Sequence, residues 1–286
     1  MKVLVTGGSG RVGRFVIPEL EKAGHQVAIF DSVEPENGGH RFVKGDLRNS
    51  AEVEEVMRNT EAIVHLAAIP FYTGDNQKIM EINVMGTFNV LEAAVKNDIK
   101  KVICASSLCA VGFIFWKKPF TPDYFPIDEK HPCKPDDAYG LSKLIAEKLC
   151  YAYTQRYDMS TICLRMATVY FEEELQCFLP NVGRPELFRD WIWNYVDPRD
   201  VAQAYRLALE KRDIEHEVYN IGAPDVFSEL DSLELVRRYY PEVKSILNEN
   251  EFLTSKGKAL FDISKAEREL GYKPRFTWRK LSRQRT

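Results

Sequence analysis

The first thirteen residues constrain the fold more than any other stretch of the chain. Residues 2–6 form a short apolar run rich in valine, which is typical of a buried parallel strand. A glycine-rich turn follows without a break, and apolar residues at helical spacing then continue to Leu20. Strand, glycine turn and helix in this order are the context that a dinucleotide-binding fingerprint requires. The start of the chain therefore predicts a strand–turn–helix unit suited to a dinucleotide.

Three glycines of the turn have separate physical roles in such a unit. Gly7 permits the tight turn, Gly10 allows the backbone to approach a pyrophosphate, and Gly13 lets the helix lie close to the strand. The helix N-terminus then presents free N–H groups and the positive end of its dipole to the phosphates. A glycine turn alone is equally typical of an ordinary strand–helix connection, so the next strand has to decide between the two interpretations.

An acidic residue ends the second predicted strand. Residues 26–31 are mostly apolar and finish at Asp31, where a carboxylate can accept hydrogen bonds from both hydroxyl groups of the adenosine ribose. A carboxylate there repels the 2′-phosphate of NADP, so Asp31 predicts NAD as the cofactor. Arg11 is the one nearby residue that works against this preference.

Composition excludes several other classes of protein. The chain has 286 residues, 45% of them hydrophobic and 28% charged, with a formal net charge of −3. This charge gives no reason to expect binding to nucleic acid or to an anionic membrane. The chain opens on a predicted strand instead of a signal peptide, and no apolar run has the length of a membrane span. We expect a cytoplasmic protein with a small-molecule substrate.

The cysteines and histidines show no metal-binding spacing. The six cysteines form no CxxC pair, and the five histidines form no HExxH pattern. We interpret the cysteines as buried, reduced thiols of a cytoplasmic protein and expect no metal site. The cysteines are Cys104, Cys109, Cys133, Cys150, Cys163 and Cys177.

Predicted strands and helices alternate over the first 165 residues. Further strands are predicted at residues 41–44, 61–66, 101–105 and 160–165, with helices at 50–59, 76–97 and 138–157. Such alternation is typical of α/β proteins with a doubly wound parallel (Rossmann) sheet.

The regular alternation ends after Arg165. A helix at residues 198–211 and a strand at 217–221 are predicted to return to the sheet, and two short helices follow near 230–239 and 264–270. We expect residues 1–165 to form an NAD-binding domain to which 195–222 returns. Residues 166–194 and 223–286 are expected to form a small substrate-binding lobe.

A long irregular segment, residues 112–137, separates the fifth strand from the following helix. It contains many aromatic residues and five prolines. Loops of this length without regular structure are uncommon and often cover active sites. A surface loop held down by its aromatic side chains is an equally good interpretation of the sequence.

Tyr139 and Lys143 carry the candidate chemistry. Their i, i+4 spacing places both side chains on one face of a helix. A free tyrosine has a pKa near ~10, and lowering it to about 7 requires roughly 4 kcal/mol of preferential stabilisation of the phenolate. A nearby ammonium group and a nicotinamide cation can supply it. Ser107, at the end of the fifth strand, can hydrogen-bond the reacting oxygen.

Taken together, these motifs resemble the extended short-chain dehydrogenase/reductase family, also called the NAD-dependent epimerase/dehydratase family. The similarity spans most of residues 1–222. The matching stretches are residues 6–13, Asp31, 45–47, 65–68, 83–92, 106–107, Tyr139 with Lys143, 195–197 and 200–201.

The resemblance implies roles that composition and spacing do not show. Tyr139 would transfer a proton, Lys143 would bind the nicotinamide ribose, and Ser107 would be the catalytic serine, with Ser106 as second candidate. The family also implies a homodimer built from helices around residues 76–97 and 138–158. The cofactor-binding residues that it implies are Gly7, Gly10, Arg11, Val12, Gly13, Asp31, Asp46 and Leu47 beside the adenine, Leu66, Ala67, Ala68, Asn83, Tyr139 and Lys143.

Departures from the family pattern narrow the reaction. Sugar dehydratases of the family carry two acids just after the serine, where this chain has Leu108 and Cys109, so dehydration is not expected. Nucleotide-sugar epimerases have a long segment before the Tyr-Val-Asp element, whereas residues 166–194 are few and contain only two cations, Arg184 and Arg189.

The site residues are similar to those of uronate dehydrogenases, which oxidise a sugar acid at its anomeric hydroxyl. By that similarity, Ser107 and Thr168 would bind the substrate and Arg189 would pair with its carboxylate. The aromatic segment at 112–137 is not explained by this similarity.

Three functional hypotheses follow. The first is an NAD-dependent dehydrogenase of a sugar or sugar acid, and the second is a UDP-glucose-type 4-epimerase that retains its NAD. The third is a non-catalytic NAD sensor, against which the intact Tyr139–Lys143 pair argues. We favour the first, because the short segment at 166–194 argues against the second.

Overall fold

The computed structural model describes residues 1–36, 38–71, 73–118 and 120–283. Residue 119 of the aromatic segment and residues 284–286 of the predicted lobe lie outside the described residues. The strands are β1 Lys2–Thr6, β2 Gln26–Asp31, β3 Arg41–Lys44, β4 Ala62–His65, β5 Lys101–Ser107, β6 Ser160–Met166 and β7 His216–Ile221. The helices are α1 Gly13–Lys22, α2 Ser50–Val56, α3 Asn76–Ile79, α4 Gly86–Lys96, α5 Ala138–Arg156, α6 Glu172–Phe178, α7 Pro198–Glu210, α8 Ser232–Tyr239, α9 Glu249–Thr254, α10 Ser264–Leu270 and α11 Trp278–Arg283.

The seven strands pair in the order β3-β2-β1-β4-β5-β6-β7, all parallel. The order reverses between β1 and β4, so the connections leaving their carboxyl ends diverge and open a crevice there. The doubly wound α/β sheet predicted from the sequence is therefore confirmed. Its crevice lies directly above the glycine turn that follows β1.

Helices cover both faces of the sheet. Residues of α1 and α7 pack into one apolar core, and residues of α2, α4 and α5 pack into the other. Both cores require strands that are apolar on both faces, which explains the nearly continuous apolar runs of β1, β4 and β6.

Two of the differences between predicted and observed elements concern the fifth strand and the helix that precedes it. The strand predicted to end at residue 105 continues to Ser107, because its backbone stays paired with β6 as far as Met166. The single helix predicted for 76–97 is divided by a π-helical segment, Met80–Met85, between α3 and α4. Apolar periodicity does not reveal such a widened turn, and widened turns often occur at functional sites.

The aromatic segment at 112–137 is fastened to the C-terminal part of the chain. The backbone N–H of Phe125 donates to Ser245 O (3.0 Å), and that of Ile127 donates to Leu260 O (2.8 Å). Both side chains are fully buried. The segment is therefore packed against the C-terminal part of the chain, which fits both interpretations of the sequence, and its role as a cover stays a prediction. Within the described part of the chain, no helix has the length and apolarity needed to cross a membrane.

Candidate functional site

The bottom of the crevice is formed by the backbone of the glycine turn, where Gly7 and Gly13 carry no side chain. Gly7 has φ +72°, and a Cβ at this position would lie 2.5 Å from the backbone of Ala67. A Cβ on Gly13 would lie 2.1 Å from the carbonyl oxygen of Gly8. Neither position accepts a side chain without moving backbone, so the turn stays narrow and smooth as a pyrophosphate site requires.

Asp31 lies against this turn. Its Oδ2 accepts the backbone N–H of Ser9 (3.0 Å), and its Oδ1 accepts that of Val33 (3.3 Å). The Ser9 hydroxyl is buried and has no partner among the described residues. A fixed carboxylate, an unpaired hydroxyl and the bare glycine backbone together fit the adenosine and phosphate groups of NAD.

The charge of Asp31 is expected to decide between NAD and NADP. In Asp31→Asn, the ratio of the two dissociation constants should shift toward NADP by about tenfold or more, because the 2′-phosphate no longer meets a like charge. Calorimetric titration of both cofactors measures the ratio. Glu34→Gln, which removes an exposed acid from the adjoining loop, is the control and should leave it unchanged. Equal affinities in the unmodified protein would contradict the assignment.

Arg11 connects the glycine turn to α6. Its guanidinium group donates to both carboxylate oxygens of Glu174 (2.6 and 2.8 Å) and lies 3.9 Å from the ring centroid of Phe171. The hydrogen bond with Glu174 raises the pKa of Arg11 and lowers that of Glu174. In this structure Arg11 is therefore held by acidic residues of the segment after β6. It does not point toward Asp31, the predicted partner of the adenosine ribose.

The other predicted cofactor residues surround the crevice. Leu66, Ala67 and Ala68 follow β4 directly, and Leu66 N donates to Thr6 O (3.0 Å). Leu47 is buried against α4, whereas Asp46 is half exposed and paired with Arg48. Val12 precedes the first residue of α1.

Asn83 has its amide group occupied by protein groups. Its Nδ2 donates to Ile69 O (3.1 Å) and to the Ser142 hydroxyl (3.0 Å), and its Oδ1 accepts Ile69 N (2.8 Å). This places Asn83 as a brace between the loop after β4 and helix α5. Its direct contact with the cofactor stays a prediction.

Tyr139, Lys143 and Ser107 come together above the end of β5. Lys143 Nζ lies 5.8 Å from the ring centroid of Tyr139 and donates to Ala105 O (3.1 Å). All three residues are buried. Tyr139 and Lys143 lie four residues apart on helix α5, so both side chains are on the same face. The Asp137 carboxylate caps the N-terminus of this helix by accepting Tyr139 N and Gly140 N.

Burial dominates the ionisation of this pair. Burial raises the pKa of Tyr139, while a hydrogen bond from Ser107 works in the opposite direction. Burial lowers the pKa of Lys143. A positive charge placed nearby would stabilise the phenolate form of this buried tyrosine more than that of an exposed one, because the local dielectric is low.

The two candidate serines have separate partners. Ser106 Oγ donates to Glu147 Oε1 (2.5 Å), whereas Ser107 Oγ accepts Cys109 N (3.1 Å) and lies close enough to Tyr139 to lower its pKa against the effect of burial. Neighbouring residues of a strand point to opposite faces, so only Ser107 faces the tyrosine. The geometry favours Ser107 over Ser106 as the catalytic serine.

Behind Ser106 lies a buried ion pair that the sequence analysis missed. Arg165 donates to Glu147 from both Nε and a terminal nitrogen (2.7 Å each), and both side chains are buried. Burial opposes the charged form of Arg165, but its hydrogen bonds and attraction to Glu147 outweigh burial and raise its pKa. Arg165 also donates to Cys133 Sγ (3.3 Å), which ties the aromatic segment to the sheet.

The aromatic segment contacts both Tyr139 and the stretch of chain that carries Arg189. The ring of Phe115 lies 6.1 Å from that of Tyr139, edge to face. Ile114 N donates to Asp190 O (3.2 Å), next to the predicted substrate residue Arg189. This contact supports the interpretation that residues 112–137 cover an active site.

Thr168 and Arg189 lie on the segment between β6 and α7. The Thr168 hydroxyl and Arg189 Nε are buried and have no partner among the described residues. The Arg189 guanidinium carbon lies 5.4 Å from the ring centroid of Tyr240. Both residues are therefore held in place while retaining unused hydrogen-bonding capacity.

The cysteines differ in part from the prediction. Cys177 is exposed and Cys133 only half buried, so the interpretation of all six as buried thiols is wrong for these two. Cys177 lies on α6, whose outer face is open to solvent. Cys104, Cys150 and Cys163 have sulfur atoms within 4.8 Å of one another in the core. Their wide separation in sequence hides this cluster from a search for CxxC spacing.

Comparisons with known proteins agree with this fold. The chain matches the model of the NAD dependent epimerase/dehydratase family over residues 3–222. It is 27% identical to a UDP-glucose 4-epimerase of Corynebacterium glutamicum, over 97% of this chain and 92% of that protein. It is 31% identical to a uronate dehydrogenase of Pseudomonas syringae pv. tomato, over 60% of this chain and 61% of that protein. The fold resembles that of the UDP-glucose 4-epimerase from Thermotoga maritima, solved with UDP-glucose, with a TM-score of 0.72 over 100% of both chains at 23% identity.

Proposed function

Because the chain belongs to the NAD-dependent epimerase/dehydratase family, we propose that it uses NAD to oxidise a hydroxyl group of a sugar or sugar acid that carries no nucleotide. The observation that carries this choice is the charge of residues 166–194. The segment has two arginines and five acidic residues, a net charge of 2 − 5 = −3. An acidic segment disfavours a nucleotide diphosphate, which carries about two negative charges, more than a sugar acid with one or an aldose with none.

Of the two arginines, we favour Arg189 as the one that binds substrate. Arg184 is 63% exposed and pairs with Glu186 at 3.4 Å. Arg189 is half buried, and its Nε has no partner among the described residues. A guanidinium group binds a single carboxylate well through paired hydrogen bonds. This arrangement supports a sugar acid, with Arg189 on the carboxylate and Thr168 on a hydroxyl group.

The cofactor would be held by the groups that line the crevice. The glycine turn and the N-terminus of α1 would bind its phosphates, Asp31 its adenosine ribose and Lys143 its nicotinamide ribose. Oxidised NAD supplies the hydride acceptor when bound.

The protein's own groups handle the proton. Ser107 would hold the reacting oxygen by a hydrogen bond, and Tyr139, as phenolate, would take the proton of the substrate hydroxyl. Lys143 would stabilise the phenolate through its positive charge.

A nucleotide-sugar 4-epimerase is the second candidate. It is favoured by the relatives of this kind that match almost the whole chain, such as the protein of Corynebacterium glutamicum. An epimerase retains its reduced cofactor and returns the hydride, so it produces no net NADH. The two functions therefore differ in a directly measurable product.

We expect NADH to accumulate in proportion to product when the protein is mixed with free NAD and a uronic acid or aldose. Absorbance follows NADH, and product stereochemistry is determined in parallel. Arg189→Met should lower kcat/KM for a uronic acid by about 10- to 100-fold through the lost charge-assisted contact. Arg184→Met is the matched control and should change little. Interconversion of UDP-glucose and UDP-galactose without NADH would contradict the proposal.

We further propose the division into two lobes and a homodimer. Residues 166–194 and 223–286 would form the substrate lobe on the NAD-binding domain, 1–165 with 195–222. The dimer would use the helices around 76–97 and 138–158, where Met85, Leu141 and Tyr151 are exposed apolar side chains. Exposed apolar groups on adjoining helices support such an interface.

A further inference from the structure

Buried polar atoms without a partner are concentrated in one short segment of the protein. Among the described residues, seven buried side-chain nitrogen and oxygen atoms have no hydrogen-bond partner, and five of the seven lie within residues 168–194. These five belong to Thr168, Tyr170, Arg189 and, with two atoms, Asn194. Folded proteins pair nearly all of their buried polar groups, because an unpaired one costs free energy. Such a concentration is expected where a polar ligand or ordered water supplies the missing partners.

Asn194 has the strongest case among these residues. Its side chain is 1% exposed, and both Nδ2 and Oδ1 lack a partner among the described residues. Asn220 is buried as fully, but its Nδ2 donates to Ile127 O and Asp262 O (3.1 Å each). Asn220 thus uses its amide to fix backbone, whereas Asn194 makes no such contact.

The backbone that leads into Asn194 is strained. Ile192 and Trp193 have φ angles of 48° and 52°, and both side chains are fully buried. A positive φ is a rare conformation for a β-branched residue and persists only where the surroundings hold it. Here Ile192 N donates to Arg189 O (2.8 Å), and Trp193 Nε1 donates to Pro185 O (2.7 Å). Such strained positions cluster at ligand sites.

Backbone contacts bring Asn194 near the two residues proposed above to bind substrate. Two residues after it, Val196 N donates to Thr168 O (2.9 Å). Before it, the strained turn closes on the carbonyl oxygen of Arg189. Asn194 therefore lies in the chain between a contact to Thr168 and a contact to Arg189, so the three side chains that carry unpaired atoms come from neighbouring stretches of backbone.

The chemistry of an amide identifies its partner. An asparagine side chain offers donors at Nδ2 and an acceptor at Oδ1, and a sugar hydroxyl group both donates and accepts. A carboxylate would match only the donor half, and Arg189 suits it better. We propose that Asn194 is a substrate-binding residue that recognises one sugar hydroxyl group and discriminates against sugars that lack it. The proposal rests on the proposed function in taking the substrate to be a sugar.

Two variants, Asn194→Ala and Asn194→Leu, test the proposal through two measurements, the stability of the protein without sugar and the KM for sugar. Without sugar, the urea midpoint of unfolding should be unchanged or higher in at least one of them, because an unpaired buried amide is removed. With sugar, KM should rise about 10- to 100-fold while kcat stays nearly constant. The variants should also lose the discrimination between a sugar and its deoxy analogues, tested one hydroxyl at a time.

Asn220→Leu is the matched control for stability. It removes an equally buried amide whose Nδ2 has two partners, although its Oδ1 has none among the described residues, so its urea midpoint should fall. A lower midpoint in both Asn194 variants would overturn the proposal, because it would show that the amide is paired inside the protein. An unchanged KM would overturn it equally.

The test also separates this proposal from the function on which it rests. Unmodified protein and both Asn194 variants are assayed with uronic acids, aldoses and UDP-sugars. Turnover of UDP-sugars alone, with a raised KM in the variants, would overturn the dehydrogenase and leave Asn194 as a sugar-binding residue. NADH formation from a uronic acid with unchanged KM in the variants would overturn only the role of Asn194. No turnover of any sugar by the unmodified protein would overturn both.

Discussion

Tyr139→Phe is expected to lower kcat by about 10²- to 10⁴-fold, the usual contribution of general acid–base catalysis. The substitution removes one oxygen atom and leaves a ring that can keep its packing against Phe115. Binding of NAD should therefore change little. Turnover is measured by NADH absorbance on the sugar that reacts best, and the NAD dissociation constant by calorimetry.

A second tyrosine of α5 provides the control. Tyr153 is buried and donates its hydroxyl to Glu92, away from the crevice. Tyr153→Phe should keep nearly full turnover.

Lys143→Met should lower both turnover and NAD affinity, because Lys143 is proposed to stabilise the tyrosine phenolate and to bind the cofactor. Near-normal kcat in Tyr139→Phe would show that another group moves the proton.

Arg165→Met should lower the free energy of unfolding by about 3–5 kcal/mol, the cost of leaving one partner of a buried ion pair unpaired. In this variant the Glu147 carboxylate would remain buried with only the Ser106 hydroxyl beside it. Urea unfolding at pH 7 measures the loss. Because Ser106 adjoins Ser107, turnover of the folded variant should also fall.

An exposed pair of the same type is the matched control. Arg237 donates to Glu249 at 2.7 Å on the surface, and its side chain is 66% exposed. Arg237→Met should cost about 0–1 kcal/mol. The double variant Arg165→Met/Glu147→Leu should recover part of the loss, because it leaves no buried charge. An equal loss of unfolding free energy in Arg165→Met and Arg237→Met would show that burial does not determine how much the Arg165–Glu147 pair contributes to stability.

The sequence was most informative where function depends on residues close together in the chain. The glycine turn, the acid at the end of β2 and the i, i+4 pair on α5 are each readable from spacing. The predicted family is confirmed by the match over residues 3–222, and the predicted NAD dependence agrees with the description of that family. The roles of the individual residues remain predictions.

Contacts between distant residues could not be predicted. Arg11 and Glu174 are 163 residues apart, and the interaction of Arg165 with Glu147 and Ser106 joins two strands and a helix. The sequence did not point to Asn194, because the types of the residues next to it do not indicate that its side-chain amide is buried. An unpaired group becomes visible only when every possible partner has a position in space.

The attachment of the aromatic segment to the C-terminal part of the chain has a consequence for how the protein is made. Phe125 and Ile127 find their backbone partners only at residues 245 and 260. A ribosome adds residues one at a time, and at ≈ 5–20 residues per second the later partners follow about 6–27 seconds after the segment. The Rossmann strands up to β6 can pair during that interval. The aromatic segment beside Tyr139 cannot complete its backbone contacts until synthesis has passed Leu260, so the surroundings of the candidate catalytic residue are among the last parts of the molecule to form.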